Sequence, residues 1–252
     1  MILILQKIQV DLKGQVYMDT NTNKYKPLAL LYYIAMKKIF FVLFTALLLT
    51  GCEDDDALVA SGNTVTETRN VGDFWRLDIN AGKVVKIIYA DDAGIIISGS
   101  ENLLQHLRTK VSNGKLTLDY DQDQINYEDV EVTIKLPFFR ELIMNGRRNL
   151  TTHGTFEPTD HIIITSHGEN EMTAMDHFET ETVDINLTGN GKVDFRALSS
   201  ENAKASITGD GKIYIKAAQT LKAQILGNGA IYYLGDPQVT SDIKGNGSVS
   251  AL

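Results

Sequence analysis

A short glycine phrase returns at nearly constant intervals through the last third of the chain, and it constrains the fold more than any other feature. The four complete copies have the form Gly-Asx-Gly, and they are Gly189, Asn190 and Gly191; Gly209, Asp210 and Gly211; Gly227, Asn228 and Gly229; and Gly245, Asn246 and Gly247. Their first glycines are 20, 18 and 18 residues apart, and degenerate copies at Gly146 and Gly168 add earlier steps of 22 and 21 residues. A repeat of this length with a fixed glycine turn is typical of the coils of a solenoid.

Apolar residues stand at the same offsets around each turn. Around Gly189, for example, Ile185 and Leu187 precede the turn and Val193 and Phe195 follow it. Spacing by two is strand periodicity, so each copy is predicted to be a strand, a turn and a second strand, each with one buried face. Stacked copies would pair their strands in parallel about 4.8 Å apart. The predicted fold is therefore all-β, a parallel β-helix or β-solenoid with 18–22 residues per coil in the C-terminal half.

The Asx residues of the four turns are expected to form a polar ladder along one corner, where they satisfy backbone groups of the turns. Upstream, alternating apolar residues continue from residue 63 to about residue 137, so this part is predicted to be β-rich and continuous with the repeats. Within it, residues 101–108 suit a short helix, and Asn113-Gly114 predicts a hairpin turn. Because no linker separates the two parts, residues 63–252 are interpreted as one domain.

The segment 36–52 has the pattern of an export signal. It begins Met36-Lys37-Lys38, continues with an apolar run, and ends Leu-Thr-Gly-Cys at the only cysteine of the chain, Cys52. Residues 36–51 are therefore predicted to be a signal peptide, since the apolar run is too short for a stable membrane span. The ending resembles the lipobox of bacterial lipoproteins, which implies that Cys52 becomes the lipidated first residue and anchors the protein to a membrane.

Residues 1–35 are interpreted as lying upstream of the true start at Met36. A rival interpretation joins the apolar segment 28–35 to the following one as a longer membrane helix, but Lys37 and Lys38 interrupt that run. Residues 52–62 form an acidic tether, either a solvated spacer or, by resemblance, the acidic export signal of surface-exposed lipoproteins of Bacteroidetes. Removing residues 1–51 leaves 18 basic and 30 acidic residues, a net charge of −12, which argues against nucleic acid and anionic lipid headgroups as partners.

Several short motifs occur in an order that resembles a known family over residues 64–252. They are Val71-Gly72-Asp73-Phe74, the segment 91–107, Asn113-Gly114-Lys115-Leu116, the segment 132–137, the Gly-Asx-Gly repeats and the segment 241–247. The family is the "putative auto-transporter adhesin, head GIN domain" family, a domain of unknown function common in Bacteroidetes lipoproteins. The resemblance implies a β-helix-like fold at the cell surface and an adhesive role, and it carries no catalytic residues. Two turns depart from the family pattern, at Asn80-Ala81-Gly82 and at Gly146-Arg147-Arg148.

No metal site or cofactor is predicted. The clustered histidines do not repeat in register on neighbouring coils, and they are His153, His161, His167 and His177. The stretch around Asp194 is similar to a calcium-binding β-roll repeat, but Tyr214, Tyr232 and Ser250 replace the aspartate in later copies. A catalytic carboxylate pair is also disfavoured. Glu169 and Asp210 share an offset two coils apart, about 9–10 Å by strand spacing, but both lie on solvent-facing turns where a carboxylate keeps a low pKa.

A binding function requires fewer specific residues than a metal site or a catalytic site does. Lys212, Tyr214 and Tyr232 have outward offsets on adjacent coils and Arg196 lies nearby, so the four could bind a sugar ring or a protein partner. Ordinary cross-strand packing is the alternative interpretation of the tyrosines. The last strand before Leu252 leaves an open solenoid end, which could pair with another copy as a homo-oligomer.

The predicted function is a lipid-anchored cell-envelope protein, an outer-membrane lipoprotein that is surface-exposed or periplasm-facing. It would be an adhesin or a glycan- or protein-binding module with no catalytic role. Two alternatives stay open, a structural element that assembles in the envelope and a polysaccharide-active β-helix enzyme.

Overall fold

The structure is a computed structural model that describes residues 57–122 and 124–252, together with two short strands, β1 (Gln9–Val10) and β2 (Val16–Tyr17), which pair antiparallel. The chain divides into two compact units, Met1–Asp55 and Asp56–Leu252. The predicted signal peptide at 36–51, the predicted lipid attachment at Cys52 and the rest of residues 1–35 lie outside the described residues. Among the residues described, no helix has the length and apolar character needed to cross a membrane.

The second unit is built from strands and one short helix. In chain order the elements are β3 (Leu58–Val59), β4 (Thr64–Arg69), β5 (Arg76–Ile79), β6 (Val84–Tyr89), β7 (Gly94–Ser100), α1 (Glu101–His106), β8 (Leu107–Ser112), β9 (Lys115–Tyr120), β10 (Ile125–Tyr127), β11 (Glu131–Leu136), β12 (Glu141–Gly146), β13 (Asn149–His153), β14 (Thr159–Gly168), β15 (Glu171–Ala174), β16 (Phe178–Gly189), β17 (Lys192–Thr208), β18 (Lys212–Leu226), β19 (Ala230–Leu234), β20 (Gln238–Lys244) and β21 (Ser248–Ala251). The strand β3, which pairs with β10, lies inside the segment 52–62 that the sequence suggested as a tether.

The C-terminal half is a parallel β-solenoid, as predicted. Strands that enter each glycine turn stack as one parallel sheet, the entry sheet, in the order β12, β14, β16, β17, β18 and β20. Strands that leave the turns form the exit sheet, in the order β13, β15, β17, β18, β19 and β21. The long strands β17 and β18 contribute to both sheets because they continue around a corner of the coil. The repeats stack in register, so that Gly146 pairs with Gly168 and Gly168 with Gly189.

The N-terminal half continues both sheets and then ends them with antiparallel strands. Strands β5 and β6 form the first coil, and β9 and β11 add one more parallel strand to each sheet. Beyond them β8 pairs antiparallel with β9, and β7 and β4 continue antiparallel from β11. The predicted hairpin is confirmed between β8 and β9, where Asn113 and Gly114 both have positive φ, 50° and 72°. The predicted short helix is confirmed as α1.

The inward side chains of both sheets form one apolar core. Columns of stacked residues run along it, such as Val193, Ile213 and Ile231, all fully buried. Where one coil passes to the next, the rings of Phe139, Phe156 and Phe178 pack edge-to-face or tilted with centroids 5.2–5.9 Å apart. The alternation of buried and exposed residues places every second side chain of the exit sheet on the solvent-facing side, where the candidate site lies.

The two glycines of each turn are needed for different reasons. The first has positive φ, +121° at Gly209, and a Cβ there would also lie 2.6 Å from the carbonyl oxygen of Gly189. The second does not have positive φ, but a Cβ at Gly229 would lie 2.7 Å from Cγ2 of Ile207 on the coil below. The first is therefore required by backbone conformation and close approach together, and the second by close packing alone.

The degenerate turns keep the first glycine and use side chains in place of the second. The buried Asn170 donates from Nδ2 to the carbonyls of Met144 and His167, and its Oδ1 accepts from the backbone N–H of Arg148. The largely buried guanidinium of Arg148 pairs with Glu128 and donates to the carbonyls of Asn80 and Gly82. The departures from the family pattern thus coincide with a polar network that joins the first coils.

Candidate binding face

An aligned column of side chains crosses the outward side of the exit sheet. Asp194 on β17, Tyr214 on β18, Tyr232 on β19 and Ser250 on β21 are consecutive register partners. The residue before each of them is inward-facing, so these four side chains lie on the outward side of the sheet, where Asp194 is buried by its neighbours, the two tyrosines are half-buried and Ser250 is exposed. The three later residues replace the aspartate of the calcium-like repeat, and the structure therefore places one carboxylate, two phenol rings and one hydroxyl along a single line.

The two tyrosine rings of this column stack on each other. Their centroids are 4.8 Å apart and their planes are inclined by 18°. This separation equals the usual spacing of neighbouring strands, about 4.8 Å, so the strand register alone brings the rings into contact. Stacked aromatic pairs contribute more to stability than the burial of their apolar area alone would. The pair presents a rigid aromatic surface on an otherwise polar sheet face.

Cationic side chains cover the side of Tyr214 that faces away from Tyr232. The guanidinium carbon of Arg196 lies 5.0 Å from the centroid of the Tyr214 ring, and Nζ of Lys192 lies 5.7 Å from it. These distances are those of cation–π contacts. Tyr214 is thus covered on both faces, by cations on one and by a ring on the other, whereas in the described part of the chain Tyr232 has such a partner, the ring of Tyr214, on one face only.

The charge of Arg196 is neutralised within the column. Its Nε and one terminal nitrogen donate to the two carboxylate oxygens of Asp194 at 2.8 and 2.6 Å. Asp194 is buried, and these hydrogen bonds raise the pKa of the Arg196 guanidinium, against a smaller opposing effect of its burial. Arg196 therefore acts as a fixed support for the ring of Tyr214 and offers no free fork for a carboxylate or phosphate.

The structure brings together three of the four residues predicted for a binding face, Arg196, Tyr214 and Tyr232. Lys212 lies in the neighbouring outward column, between Lys192 and Ala230, and its side chain is exposed. Asp194 and Lys192 also belong to this face and are not among the residues predicted for it. Their offsets from the turn glycine equal those of Tyr214 and Lys212, so the repeat alignment contains that signal.

The Asx residues of the turns form side-chain contacts along one corner. Nδ2 of Asn228 donates to Oδ1 of Asp210 at 2.9 Å, and Nδ2 of Asn246 donates to Oδ1 of Asn228 at 3.3 Å. The backbone N–H of Asn228 also donates to Asp210. All three side chains are exposed, as is Asn190 on the preceding turn. This corner joins successive coils through amide and carboxylate hydrogen bonds.

The two carboxylates weighed as a catalytic pair each have another partner. Glu169 forms an ion pair with Arg147, and Asp210 accepts the hydrogen bonds from Asn228. Both are exposed, with Asn190 on the coil between them. Neither lies in the apolar pocket that a catalytic general acid usually occupies.

The histidines contact different neighbours and do not converge. Nε2 of His161 lies 3.3 Å from Asp184, and Nε2 of His153 lies 2.9 Å from the hydroxyl of Thr151. Nε2 of His177 approaches both Ser199, at 3.0 Å, and Glu179, at 3.7 Å. Both contacts of His177 thus involve the same ring nitrogen. In a catalytic triad, by contrast, one ring nitrogen of the histidine contacts the nucleophile and the other contacts the carboxylate. In residues 57–122 and 124–252, no three His, Cys, Asp or Glu side chains are grouped so that they could hold a metal ion.

The last coil exposes side chains that are buried in earlier coils. Ile243 is 39% exposed, although its register partner Ile225 is 1% exposed. Within the described part of the chain, β20 pairs only with β18, and β21 only with β19. This coil therefore has one apolar surface and two strand edges on the side away from the solenoid.

Comparison with known proteins identifies relatives of this architecture. Residues 73–237 match the sequence family described as "Putative auto-transporter adhesin, head GIN domain". A search of curated proteins finds no significant match.

Solved structures share the fold. A putative adhesin from Bacteroides fragilis NCTC 9343 is 18% identical with a TM-score of 0.60, covering 77% of this chain and 100% of that chain. Putative adhesins from Parabacteroides distasonis ATCC 8503 and Parabacteroides merdae ATCC 43184 are each 17% identical, with TM-scores of 0.52 and 0.51. They cover 78% and 77% of this chain, and the chain covers 100% and 98% of theirs. These three structures are matched over almost their whole lengths, so in those proteins the shared fold accounts for nearly the entire chain of the solved structure.

Proposed function

The chain belongs to the head GIN domain family of putative auto-transporter adhesins, and from this premise we propose that it is an envelope-anchored binding module. Its ligand, a glycan or a surface protein, would contact the outward face of the exit sheet around Tyr214 and Tyr232. The family description supports a surface or envelope location and an adhesin-like role. The observation that carries the proposal is the stacked tyrosine pair, supported from behind by Arg196 and Lys192 on a rigid sheet.

The stacked pair suits recognition because it is rigid before any ligand arrives. The rings are held by strand register and by the paired Arg196, so little side-chain freedom would be lost on binding. Tyrosine combines a large apolar surface with a polar tip, and aromatic side chains are enriched where proteins meet sugars or other proteins. The same geometry also satisfies ordinary cross-strand packing, so a direct binding experiment is needed.

Residues 56–252 can be tested on arrays of glycans and extracellular-matrix proteins, with and without calcium. We expect a defined hit that Tyr232→Ala weakens strongly. The matched control is Tyr127→Ala, because Tyr127 is a 55% exposed tyrosine on β10, outside the exit sheet. Equal loss in both variants, or no binding by a folded protein on either array, would refute the proposed binding role of this face.

Anchoring would come from Cys52. The signal-peptide pattern of residues 36–51 and the lipobox-like ending support an outer-membrane lipoprotein, with residues 52–62 as the acidic tether. Cells that express the full chain can be labelled with an alkyne-tagged palmitate, and we expect label on the wild-type protein and none on Cys52→Ser. A chain that begins at Met36 should be labelled equally. Label retained by Cys52→Ser would refute this attachment site.

A second candidate function is assembly through the last coil. The exposed Ile243 favours it, as do the edges of β20 and β21 that pair with no further strand among the described residues, because a strand edge beside apolar surface is a template for pairing with another copy. Light scattering of a dilution series should then show concentration-dependent oligomers that Ile243→Asp removes. A mass of one protomer throughout the series would eliminate this candidate.

A further inference from the structure

We infer that the outer face of Tyr232 and the space above Ser250 form a slot for one pyranose ring of a neutral glycan. The inference rests on the proposed function, because it names the ligand class and the position of contact on the same face. It follows from the outward column of Asp194, Tyr214, Tyr232 and Ser250, in which the cations beside Asp194 cover the first ring, the second ring stacks on it, and a small hydroxyl side chain comes last.

The column leaves one ring position unfilled. Arg196 and Lys192 cover the first face of Tyr214, and Tyr232 covers the second. The next register position along the column is Ser250, whose side chain is small and exposed. A ring above Ser250 would be about 4.8 Å from Tyr232 by strand spacing, which is the separation at which Tyr214 already stacks on it.

The sides of this position are lined by small polar groups. Ser248 and Ser250 lie two residues apart on β21, so their hydroxyls face the same side of the sheet, and both residues are exposed. Ala230, the register partner of Ser248, is also small and leaves the space beside Tyr232 open. The slot therefore combines one aromatic wall with two hydroxyl groups, each able to donate and accept a hydrogen bond.

A pyranose ring matches this combination better than the alternatives. Its apolar C–H face can stack on the tyrosine while its hydroxyl groups form hydrogen bonds with the two serines. In binding sites of this kind, a small number of polar groups beside an apolar wall fixes the orientation of the ligand. An aromatic side chain of a partner protein could stack but would leave both serine hydroxyls to water. An anionic sugar is disfavoured, because Arg196 is already paired with Asp194, and the exposed Lys212 of the neighbouring column is a single positive charge on a chain with a net charge of −8.

The slot can be blocked by a substitution that leaves both tyrosines of the column in place. In Ser250→Tyr, the new ring would take the fourth position of the column and continue the stack. The matched control is Ser206→Tyr, which places the same ring on the outward side of the entry sheet. Far-ultraviolet circular dichroism and the urea midpoint of each variant of residues 56–252 establish that the solenoid is intact.

The probes are the methyl glycosides of glucose, galactose, mannose and N-acetylglucosamine, observed by saturation-transfer difference NMR. We expect transfer to the ring C–H protons of at least one of them, weakened about tenfold or more by Ser250→Tyr and by Tyr232→Leu, a loss typical of one ring-stacking contact. Ser206→Tyr should leave the transfer unchanged.

Two results would overturn the inference and can be told apart from failure of the proposed function. If no glycoside binds but a matrix protein still binds through Tyr232, the face is a protein-binding site and the sugar slot is wrong. If a glycoside binds equally to wild type and Ser250→Tyr, the ligand lies elsewhere on the face. Loss of every ligand, sugar and protein alike, would overturn both proposals.

Discussion

Replacing Gly209 by alanine should destabilise the solenoid much more than a typical glycine substitution. Gly209 has a φ of +121°, a conformation that L side chains rarely adopt, and holding alanine there costs about 1–3 kcal/mol. The added Cβ would also lie 2.6 Å from the carbonyl oxygen of Gly189 and 3.2 Å from its carbonyl carbon. These are backbone atoms, so no side-chain rotation can relieve the contact.

The neighbouring coils oppose any relaxation. The carbonyl of Gly189 accepts from the backbone N–H of Gly211, and the N–H of Gly209 donates to the carbonyl of Leu226. Moving the turn apart would weaken these bonds, each worth about 0.5–1.5 kcal/mol. Alanine also lowers the conformational entropy of the unfolded chain, which offsets about 0.4–1 kcal/mol of this loss of stability. The expected net loss is about 3 kcal/mol, a large share of a typical free energy of unfolding of about 5–15 kcal/mol.

Urea unfolding of residues 56–252, followed by circular dichroism, measures this loss. Gly72→Ala is the control, because a Cβ there would have no described atom within 4 Å and the glycine does not have positive φ. Gly229→Ala separates packing from backbone strain, since its Cβ would lie 2.7 Å from Ile207 without positive φ, and we expect it to cost about 1–3 kcal/mol. If Gly209→Ala unfolds at the same urea concentration as Gly72→Ala, the argument from close coil approach is wrong.

Three further predictions concern buried polar groups. The buried hydroxyl of Thr152 has no hydrogen-bond partner among the residues that the structure describes, so Thr152→Val should raise the free energy of unfolding by about 1 kcal/mol, and a lower urea midpoint would contradict this. Arg148→Met leaves the carboxylate of Glu128 without its cation and should cost about 3–5 kcal/mol by urea unfolding, part of which Glu128→Gln in the same chain should restore. Burial, together with Glu128, raises the pKa of Tyr120 well above 10. The folded state therefore retains a proton that the unfolded state loses, so stability present below pH 10 should fall as pH rises above it, and Tyr120→Phe should flatten that fall in urea titrations.

The turns and coils could be predicted because their causes are local. The repeated glycines, such as Gly189 and Gly209, predict the turns directly, because the conformation and close packing of each turn require glycine. The alternation of apolar residues predicts which side of each strand is buried. Once the period is known, stacking in register follows, since a shift of one residue would move every inward side chain to solvent. The column that contains Tyr214 and Tyr232 could be derived from equal offsets for this reason.

The partners of individual side chains could not be predicted in the same way. The offset of Arg196 placed it outward but did not show that its guanidinium is held by Asp194, because that depends on which rotamers the neighbouring coil permits. The pairing of Arg148 with Glu128 joins a degenerate turn to a loop that carries no repeat. Such contacts depend on side-chain packing between segments and leave no periodic signal.

The repeat alone specifies a stacked β-solenoid, its glycine corner and the outward column, because it imposes the same local conformation and the same buried face on every coil. The way the stack ends, and the side chains that cover each ring, depend on contacts between segments far apart in the chain. Strands β9 and β11 add to the first coil in parallel, and β8 and β7 then reverse direction, through pairings between distant segments such as Val84 with Glu131. Non-local pairing of this kind depends on the packing of the whole core. The covering of Tyr214 on both faces, by Arg196 and by Tyr232, likewise depends on contacts between coils.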